Sequence, residues 1–151
     1  MAITDFLSEY PAFKNFEKAD FDNLATICIE LNFKKDEVVF AEETPGDKMF
    51  IIRAGSVKVI KKVKNIENTV AVLNKGDFFG EMAVLDGSPR SAGVKAAMDT
   101  KVLQISQKDF EDFKQKNQLT SIKLLDIFVK GLSQRLRQAN KNIEAISFWV
   151  E

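Results

Sequence analysis

The sequence predicts a mainly β fold, either a sandwich or a small antiparallel barrel, with helices at both ends. Apolar residues recur every three or four positions near each terminus, but every second position between about Phe33 and Ser106. Six of the seven glycines lie between Gly46 and Gly93, where they mark turns between short strands. A length of 151 residues suits one domain. The predicted parts of this single domain, 1–151, are N-terminal helices at 1–32, β-strands at 33–106 and C-terminal helices at 107–151.

The N-terminal part is predicted to be helical over residues 4–31, with a break at "YPAF". The segment "FDNLATICIEL" spaces its apolar side chains by three and four residues. Asp20 or Asp22 is positioned to cap this helix at its start.

The central part is predicted to form many short strands. The β-branched runs are "MFIIR", "VKVIKKV", "TVAVL", "SAGVKAA" and "KVLQIS". Turn sequences separate them, namely "TPGD", "AGS", "KNIEN" and "NKGD".

The C-terminal part returns to a helical period. Ser106 is predicted to cap a helix that turns Phe110 and Phe113 towards the core. A long helix from Leu119 to about Trp149 follows, in which Gly131 is expected to weaken or bend the helix. Its apolar stripe comprises Leu125, Phe128, Val129, Leu132, Leu136, Ala139, Ile143 and Ile146. Because the stripe is longer than a small barrel covers, we predict a homodimer through this helix. The alternative is that the stripe folds back on the barrel and the N-terminal helices.

Charge and hydropathy argue against two kinds of partner. The formal net charge is zero, and the main basic block is "KKVK" at Lys61 to Lys64, so we expect no nucleic-acid partner. No apolar run approaches the length of a membrane span, and the N-terminus lacks the features of a secretory signal, so we expect no membrane association.

The residue types of common catalytic and metal sites are scarce. The chain has no histidine and one cysteine, which excludes Ser–His and Cys–His catalysis and argues against a zinc site. We therefore predict a protein that is not an enzyme and holds neither metal nor cofactor. Cys28 lies in the apolar run "LATICIEL", where a buried, inert thiol is expected. Since no internal disulfide can form, we predict a reducing, cytoplasmic location.

The segment "FFGEMAVLDGSPRSA" holds the candidate site. Gly80 permits a close backbone approach and begins a short helical turn, whose free N–H groups favour an anion. Arg90 follows Pro89 and can return to the same place, where its guanidinium suits a phosphate. The carboxylate of Glu81 would repel a phosphate but would accept a hydrogen bond from a sugar hydroxyl. The spacing alone leaves a second interpretation open, in which Glu81 and Arg90 form an ion pair that pins a loop.

The full string "GDFFGEMAVLDGSPRSAGVKA" resembles the phosphate-binding cassette of the cyclic nucleotide-binding domain family. That family includes catabolite activator proteins, regulatory subunits of cyclic-AMP-dependent kinase and nucleotide-gated channels. The shared pattern is F-G-E, a short apolar helix and P-R-S-A, and Gly55 and Gly76 match two further glycines. The resemblance covers roughly residues 15–147. It implies an eight-stranded antiparallel β-roll of the double-stranded jelly-roll type, with N-terminal helices, a cassette at 79–92 and a long C-terminal helix.

The resemblance also implies a role for individual residues. Glu81 would accept the ribose 2′-hydroxyl, Arg90 would pair with the cyclic phosphate, and Ser91 would offer its hydroxyl to the phosphate or the base. Backbone N–H groups would come from Gly80, Met82, Ala83 and Ala92, and the apolar wall from Val59, Ala71 and Leu73. In the family's bacterial transcription factors, polar residues of the long helix contact adenine across a dimer. By this resemblance Arg135 would lie near Glu81 and the ribose, and Asn140 would offer an amide to the base. As an alternative, both residues belong to a solvated helix face. Phe148 or Trp149 could cover the base or could pack at the helix end.

The implied function is that of a sensor. A cyclic nucleotide would enter the roll and reorient the C-terminal helix towards an unknown downstream protein. Serine after Arg90 matches the "R-S-A" of catabolite-type activators, which favours cyclic AMP over cyclic GMP. The alternative is an interaction or dimerisation module that kept the roll and lost the ligand. As a sensor, the chain is expected to be either a stand-alone protein or a piece of a larger one.

Overall fold

The computed structural model describes the backbone of residues 3–150 and the side chains of residues 3–145. Five α-helices and one 3₁₀ turn are found in this part of the chain: α1 Ile3–Ser8, the 3₁₀ turn Pro11–Phe13, α2 Lys18–Ala25, α3 Glu81–Asp86, α4 Gln107–Lys116 and α5 Gln118–Val150. Eight strands are found there: β1 Ile29–Phe33, β2 Val38–Phe40, β3 Lys48–Ala54, β4 Ser56–Val63, β5 Ile66–Asn74, β6 Phe78–Phe79, β7 Gly93–Ala96 and β8 Thr100–Ser106.

The strands form two four-stranded antiparallel sheets. One has the order β1-β8-β3-β6 and the other β2-β7-β4-β5. The longest pair, β4 and β5, is joined by a two-residue turn at Lys64 and Asn65, which both have positive φ as a tight hairpin requires. The predicted eight-stranded antiparallel roll with helices at both ends is thereby confirmed.

The N-terminal helical region ends earlier than the sequence predicts. Helix α2 stops at Ala25, and residues from Ile29 onwards form β1 and pair with β8, for example Leu31 with Val102. The prediction of helix up to residue 31 is therefore wrong, and the roll begins before residue 33. The apolar spacing of "ICIELNF" fits a helix, but its alternating Ile29, Leu31 and Phe33 fit a strand equally well. Pairing with β8 satisfies the backbone and decides between them.

Two apolar clusters fill the interior. The first joins the N-terminal helices, α4 and α5 to the sheet that contains β3 and β8, and it includes Phe110. Phe110 and Phe113 are both buried, as predicted. The second lies between the two sheets inside the roll: Phe50, Ile52, Val57, Phe79, Val94 and Val102. Cys28 borders the first cluster, and burial raises the pKa of its thiol to about 12, as expected of an inert cysteine.

Helix α4 starts as predicted, because the Ser106 hydroxyl accepts a hydrogen bond from the backbone N–H of Asp109 at 3.1 Å. Helix α5 follows and is continuous through Gly131. Its first half buries Leu124 and Phe128 against the roll. Across residues 3–150, none of the helices combines the length and the hydropathy needed to cross a bilayer.

A buried carboxylate joins α2 to α5. Asp20 accepts hydrogen bonds from the hydroxyl of Thr120 and from the ammonium of Lys123 at 2.6 Å. Its other contact is the backbone N–H of Glu17 at 2.8 Å, so Asp20 is the third helical residue of α2 rather than its cap. This arrangement holds the start of the long helix against the N-terminal helices.

Candidate functional site

A cavity of about 470 Å³ lies between β4 and β5, the short helix α3 and the middle of α5. Its wall is largely apolar. The predicted site residues that line it are Val59, Ala71, Leu73, Gly80, Glu81, Met82, Ala83, Arg90, Ser91, Ala92 and Arg135. The structure thus brings the cassette, the sheet wall and one helix residue together around one space.

The backbone of the cassette depends on glycine at two positions. Gly80 precedes α3 with a φ of 78°, in the left-handed region that favours glycine. A Cβ at Gly80 would also lie 2.9 Å from Nη1 of Arg90. Gly87 ends α3 with a φ of 71°, and its N–H donates to the carbonyl of Ala83 at 2.9 Å. The glycines therefore set the start and the end of the short helix that carries Glu81.

Arg90 is buried, and two backbone carbonyls hold its guanidinium. Nη1 donates to the carbonyl of Gly80 at 2.8 Å and Nη2 to that of Lys48 at 2.7 Å. The guanidinium carbon lies 4.0 Å from the centroid of the Phe40 ring. Burial lowers the pKa of Arg90, while the charges of Asp47 and Glu81 oppose that change. Nε has no hydrogen-bond partner, and a guanidinium has five donors, so donors remain for a ligand.

Glu81 is 1% exposed. Its Oε1 accepts a hydrogen bond from Nη1 of Arg135 at 2.8 Å, whereas Oε2 is buried without a partner. Burial raises the pKa of Glu81, although the Arg135 guanidinium, the backbone N–H of Glu81 and Arg90 all act to lower it. An unpaired buried acceptor is costly, so a ligand hydroxyl at Oε2 would be favoured.

The alternative interpretation, a Glu81–Arg90 ion pair that pins the loop, is wrong. Among the described residues the ion-pair partner of Glu81 is Arg135, and Arg90 bonds to backbone carbonyls instead. The folded chain brings Arg135 next to Glu81, although 54 residues separate them in the sequence. Arg135 reaches the cassette from α5, which the local spacing of Glu81 and Arg90 does not reveal.

Within one chain, α5 presents Gln138 and Asn142 to the cavity, whereas the base contact of Asn140 across a dimer stays a prediction. Asn140 is exposed and is not among the cavity residues, whereas Gln138 and Asn142 line the cavity. A helix turns about 100° per residue, so Asn140 points about 200° away from each of them. Counting three and seven residues from Arg135 would have found Gln138 and Asn142. The side chains of Phe148 and Trp149, the predicted lid, lie outside the described residues.

A second cavity, of about 830 Å³, lies between residues 11–16, the β5–β6 turn and α5. It shares Leu73, Arg135 and Gln138 with the first cavity but contains neither Glu81 nor Arg90. The chemistry of the cassette therefore belongs to the smaller cavity.

The smaller cavity presents one buried acceptor, Glu81, and one buried cation, Arg90, on a largely apolar wall. A carboxylate oxygen without a partner suits a hydroxyl, and an arginine suits a phosphate. Within the described part of the chain, His, Cys, Asp and Glu side chains form no group of three that could hold a metal ion. The arrangement fits a small ligand that carries a hydroxyl, an anionic group and an apolar or aromatic part.

The comparisons with known proteins agree with this geometry. The model of the cyclic nucleotide-binding domain matches residues 30–117. A cAMP-dependent protein kinase regulatory subunit of Aspergillus fumigatus is 30% identical over 106 residues, which are 70% of this chain and 25% of that protein. A CRP-like cAMP-activated global transcriptional regulator of Mycobacterium tuberculosis is 25% identical over 147 residues, which are 97% of this chain and 64% of that protein. This chain thus spans less than two thirds of either relative.

One solved structure covers nearly the whole fold. The crystal structure of a cyclic nucleotide-binding domain from Methylobacillus flagellatus has a TM-score of 0.85 and 25% sequence identity to this chain. The match covers 95% of this chain and 81% of the other. The likeness therefore includes the flanking helices as well as the roll.

Proposed function

The chain belongs to the cyclic nucleotide-binding domain family, and from this premise we propose that its smaller cavity binds cyclic AMP. Ligand binding would make the chain a regulatory domain rather than an enzyme, acting in the cytoplasm. Both relatives are named for cyclic AMP, and Ser91 stands after Arg90 as in the catabolite-type activators.

The observation that carries the proposal is the pairing of Glu81 and Arg90 in one apolar cavity. Glu81 Oε2 lacks a partner and would accept the ribose 2′-hydroxyl. Arg90 has unused donors and would bind the cyclic phosphate. Phe40, Val70 and Leu73 offer apolar surface to the base. Gln138 and Asn142 carry amide groups that would contact the base within one chain, beside the contact predicted for Asn140 across a dimer.

We further propose that the ligand changes the position of α5. Arg135 on this helix bonds to the same carboxylate that would receive the ribose. A ligand at Glu81 alters the charge and hydrogen bonding that Arg135 meets. The affinity of the ligand therefore differs between two positions of α5, and such a difference is what coupling requires.

The dimer remains part of the proposal. Residues Ile122, Val129, Leu136 and Ile143 recur every seven positions, and each is at least 60% exposed. Leu125, Leu132 and Ala139 follow three positions after the first three of them. This is the a/d pattern of a coiled coil, and β-branched residues at a with leucine at d favour two parallel strands. The occupant that fits such a stripe is the same helix of a second copy.

Calorimetric titration with cyclic AMP, cyclic GMP and cyclic dinucleotides tests the proposed function. We expect saturable binding of cyclic AMP, tighter than that of cyclic GMP. Absence of heat and of a thermal shift with every one of these ligands would refute ligand binding and favour the interaction module. Light scattering with and without cyclic AMP measures the oligomeric state in the same samples.

A further inference from the structure

Phe78 connects the cassette to α5 through its ring as well as its backbone. It lies in β6, three residues before Glu81. Its ring centroid is 4.8 Å from that of Phe128. The guanidinium carbon of Arg135 also lies 4.8 Å from the Phe78 centroid. Arg135 also donates a hydrogen bond to the carbonyl of Phe78. The ring therefore lies against the face of α5 that meets the cassette.

The close approach of this ring depends on Gly131. A Cβ at Gly131 would lie 2.4 Å from Cζ and 2.8 Å from Cε1 of Phe78. Both atoms belong to a rigid ring that also packs against Phe128, so an alanine at Gly131 would require the ring or the helix to shift. Glycine is unfavourable inside a helix. At this position it allows α5 to lie directly on Phe78.

Three polar residues of α5 that line the cavity lie on the same face as Gly131. Arg135, Gln138 and Asn142 follow it by four, seven and eleven positions, which is one side of a helix. Gln138 Nε2 donates to Oδ1 of Asn142 at 3.1 Å, so these two side chains are linked. A shift of the helix at Gly131 would therefore move all three relative to the cavity.

We propose that the Phe78–Gly131 contact positions α5 over the ligand cavity, so that Phe78 and Gly131 are positioning residues for ligand affinity. They act through Arg135, which they hold against Glu81. The inference rests on the proposed cyclic nucleotide binding, and it adds residues that the cassette pattern and the cavity lining do not assign to the ligand.

The direct test is Gly131→Ala, titrated with cyclic AMP. Alanine raises helix propensity, so a loss of affinity cannot come from a weaker helix. We expect affinity to fall about tenfold, the value of one charge-assisted hydrogen bond. Ser133→Ala, at an exposed position of the same helix, is the matched control and should bind as the wild type does. Unchanged affinity of Gly131→Ala would overturn the proposal.

Two double-mutant cycles separate positioning from general damage. Phe78→Leu makes room for a Cβ, so Gly131→Ala should cost less affinity in the Phe78→Leu background than in the wild type. In the Arg135→Ala background, Gly131→Ala should change affinity by no more than about twofold, because the residue through which it acts is gone. Additive effects in both cycles would show that Gly131 does not act through this contact.

A readout without ligand keeps this inference separate from the proposed function. If the wild type binds neither cyclic AMP nor cyclic GMP, the proposed function fails. The contact is then judged by amide hydrogen exchange over residues 78–86 in the ligand-free protein. Gly131→Ala should speed exchange there, and the Phe78→Leu background should reduce that effect. Exchange that is unchanged by Gly131→Ala would overturn the positioning role.

Discussion

Oε1 of Glu81 and Nη1 of Arg135 lie 2.8 Å apart, although 54 residues separate them in the chain. One belongs to the cassette and the other to the long helix α5. The second oxygen of the carboxylate is buried without a partner, and Glu81 lines the proposed ligand cavity. Glu81 is therefore the group at which the proposed ligand and the helix meet, and its ionisation affects both.

Arg135→Ala should make cyclic AMP binding more sensitive to acid. Burial raises the pKa of Glu81 and the Arg135 guanidinium counteracts this, so removing Arg135 raises the pKa further. Protonated Glu81 is a weaker acceptor, and affinity therefore falls as the pH drops through this pKa. We expect the acid limb of affinity to move to higher pH in the variant, measured by calorimetry between about pH 5 and 8. Arg137→Ala, exposed on the same helix, should leave the profile unchanged; identical profiles for both variants would contradict the role of Arg135.

Glu81→Gln should stabilise the ligand-free fold at neutral pH and lower the affinity for cyclic AMP. The folded-state pKa of Glu81 is raised, so its contribution to stability is present below the unfolded pKa and is lost as pH rises through the folded pKa. At neutral pH the neutral amide removes a buried charge. We expect the free energy of unfolding to rise at neutral pH, because the raised pKa of Glu81 means that burial of its charge outweighs the attraction of Arg135. The gain in stability should vanish at about pH 4, where the wild-type carboxyl is protonated. Glu111→Gln changes an exposed site and should alter neither the stability nor the affinity for cyclic AMP. Chemical denaturation at both pH values measures this, and a destabilised variant at neutral pH would refute it.

Arg90 variants test the phosphate assignment. Arg90→Ala removes charge-assisted donors from the cavity, and we expect affinity for cyclic AMP to fall about 100-fold. Arg90→Lys keeps the charge but lacks the planar fork, so its affinity should lie between those of the wild type and Arg90→Ala. Thermal unfolding should also show a loss of stability, because the carbonyls of Gly80 and Lys48 lose their donors. Binding of Arg90→Ala at wild-type affinity would show that the phosphate lies elsewhere.

The sequence predicted those parts of the fold that local patterns determine. Helix α5 and strand β4 have clear periods and appear where expected. Strand β5 begins at Ile66, inside the predicted turn segment "KNIEN". Strand β1 was missed because its apolar spacing fits two structures, and only pairing with β8 selects one. Strand β6 has two residues, and its pairing with Phe50 and Ile51 comes from the tertiary fold.

The candidate site shows the same division. Glu81 and Arg90 lie within ten residues of each other, and the cassette pattern identifies both. The resemblance also places Arg135 near Glu81, and the structure has this contact. The amides of α5 that line the cavity depend instead on how far along the roll the helix lies. That position is set by a contact between Phe78 and Gly131, which no local period contains. Within one chain the cavity is lined by Gln138 and Asn142, two positions on either side of Asn140, which the sequence pattern does not single out.

Asp20→Asn should lower stability in a pH-dependent way. Burial alone would raise the pKa of Asp20, but hydrogen bonds from Glu17, Lys123 and Thr120 lower it below the ordinary value. A depressed pKa contributes stability above the unfolded pKa, and this is lost as pH falls through the folded pKa. We expect Asp20→Asn to cost about 2 kcal/mol at neutral pH. The difference from the wild type should shrink below about pH 4. Asp22→Asn, an exposed control, should cost little at any pH, and equal effects of the two variants would refute the buried network.

Lysines on the exposed stripe of α5 should abolish the proposed dimer. Val129 and Leu136 are 60% and 62% exposed and do not line the ligand cavity, so their substitution spares the site. In a paired helix they would occupy successive a positions, where two added charges per chain repel across the interface. We expect the wild type at twice the chain mass in light scattering and Val129→Lys/Leu136→Lys at the mass of one chain. Gln134→Lys, on the opposite side of the helix, should remain dimeric. A wild type of single-chain mass at every concentration tested would refute the dimer, and the stripe would then face solvent.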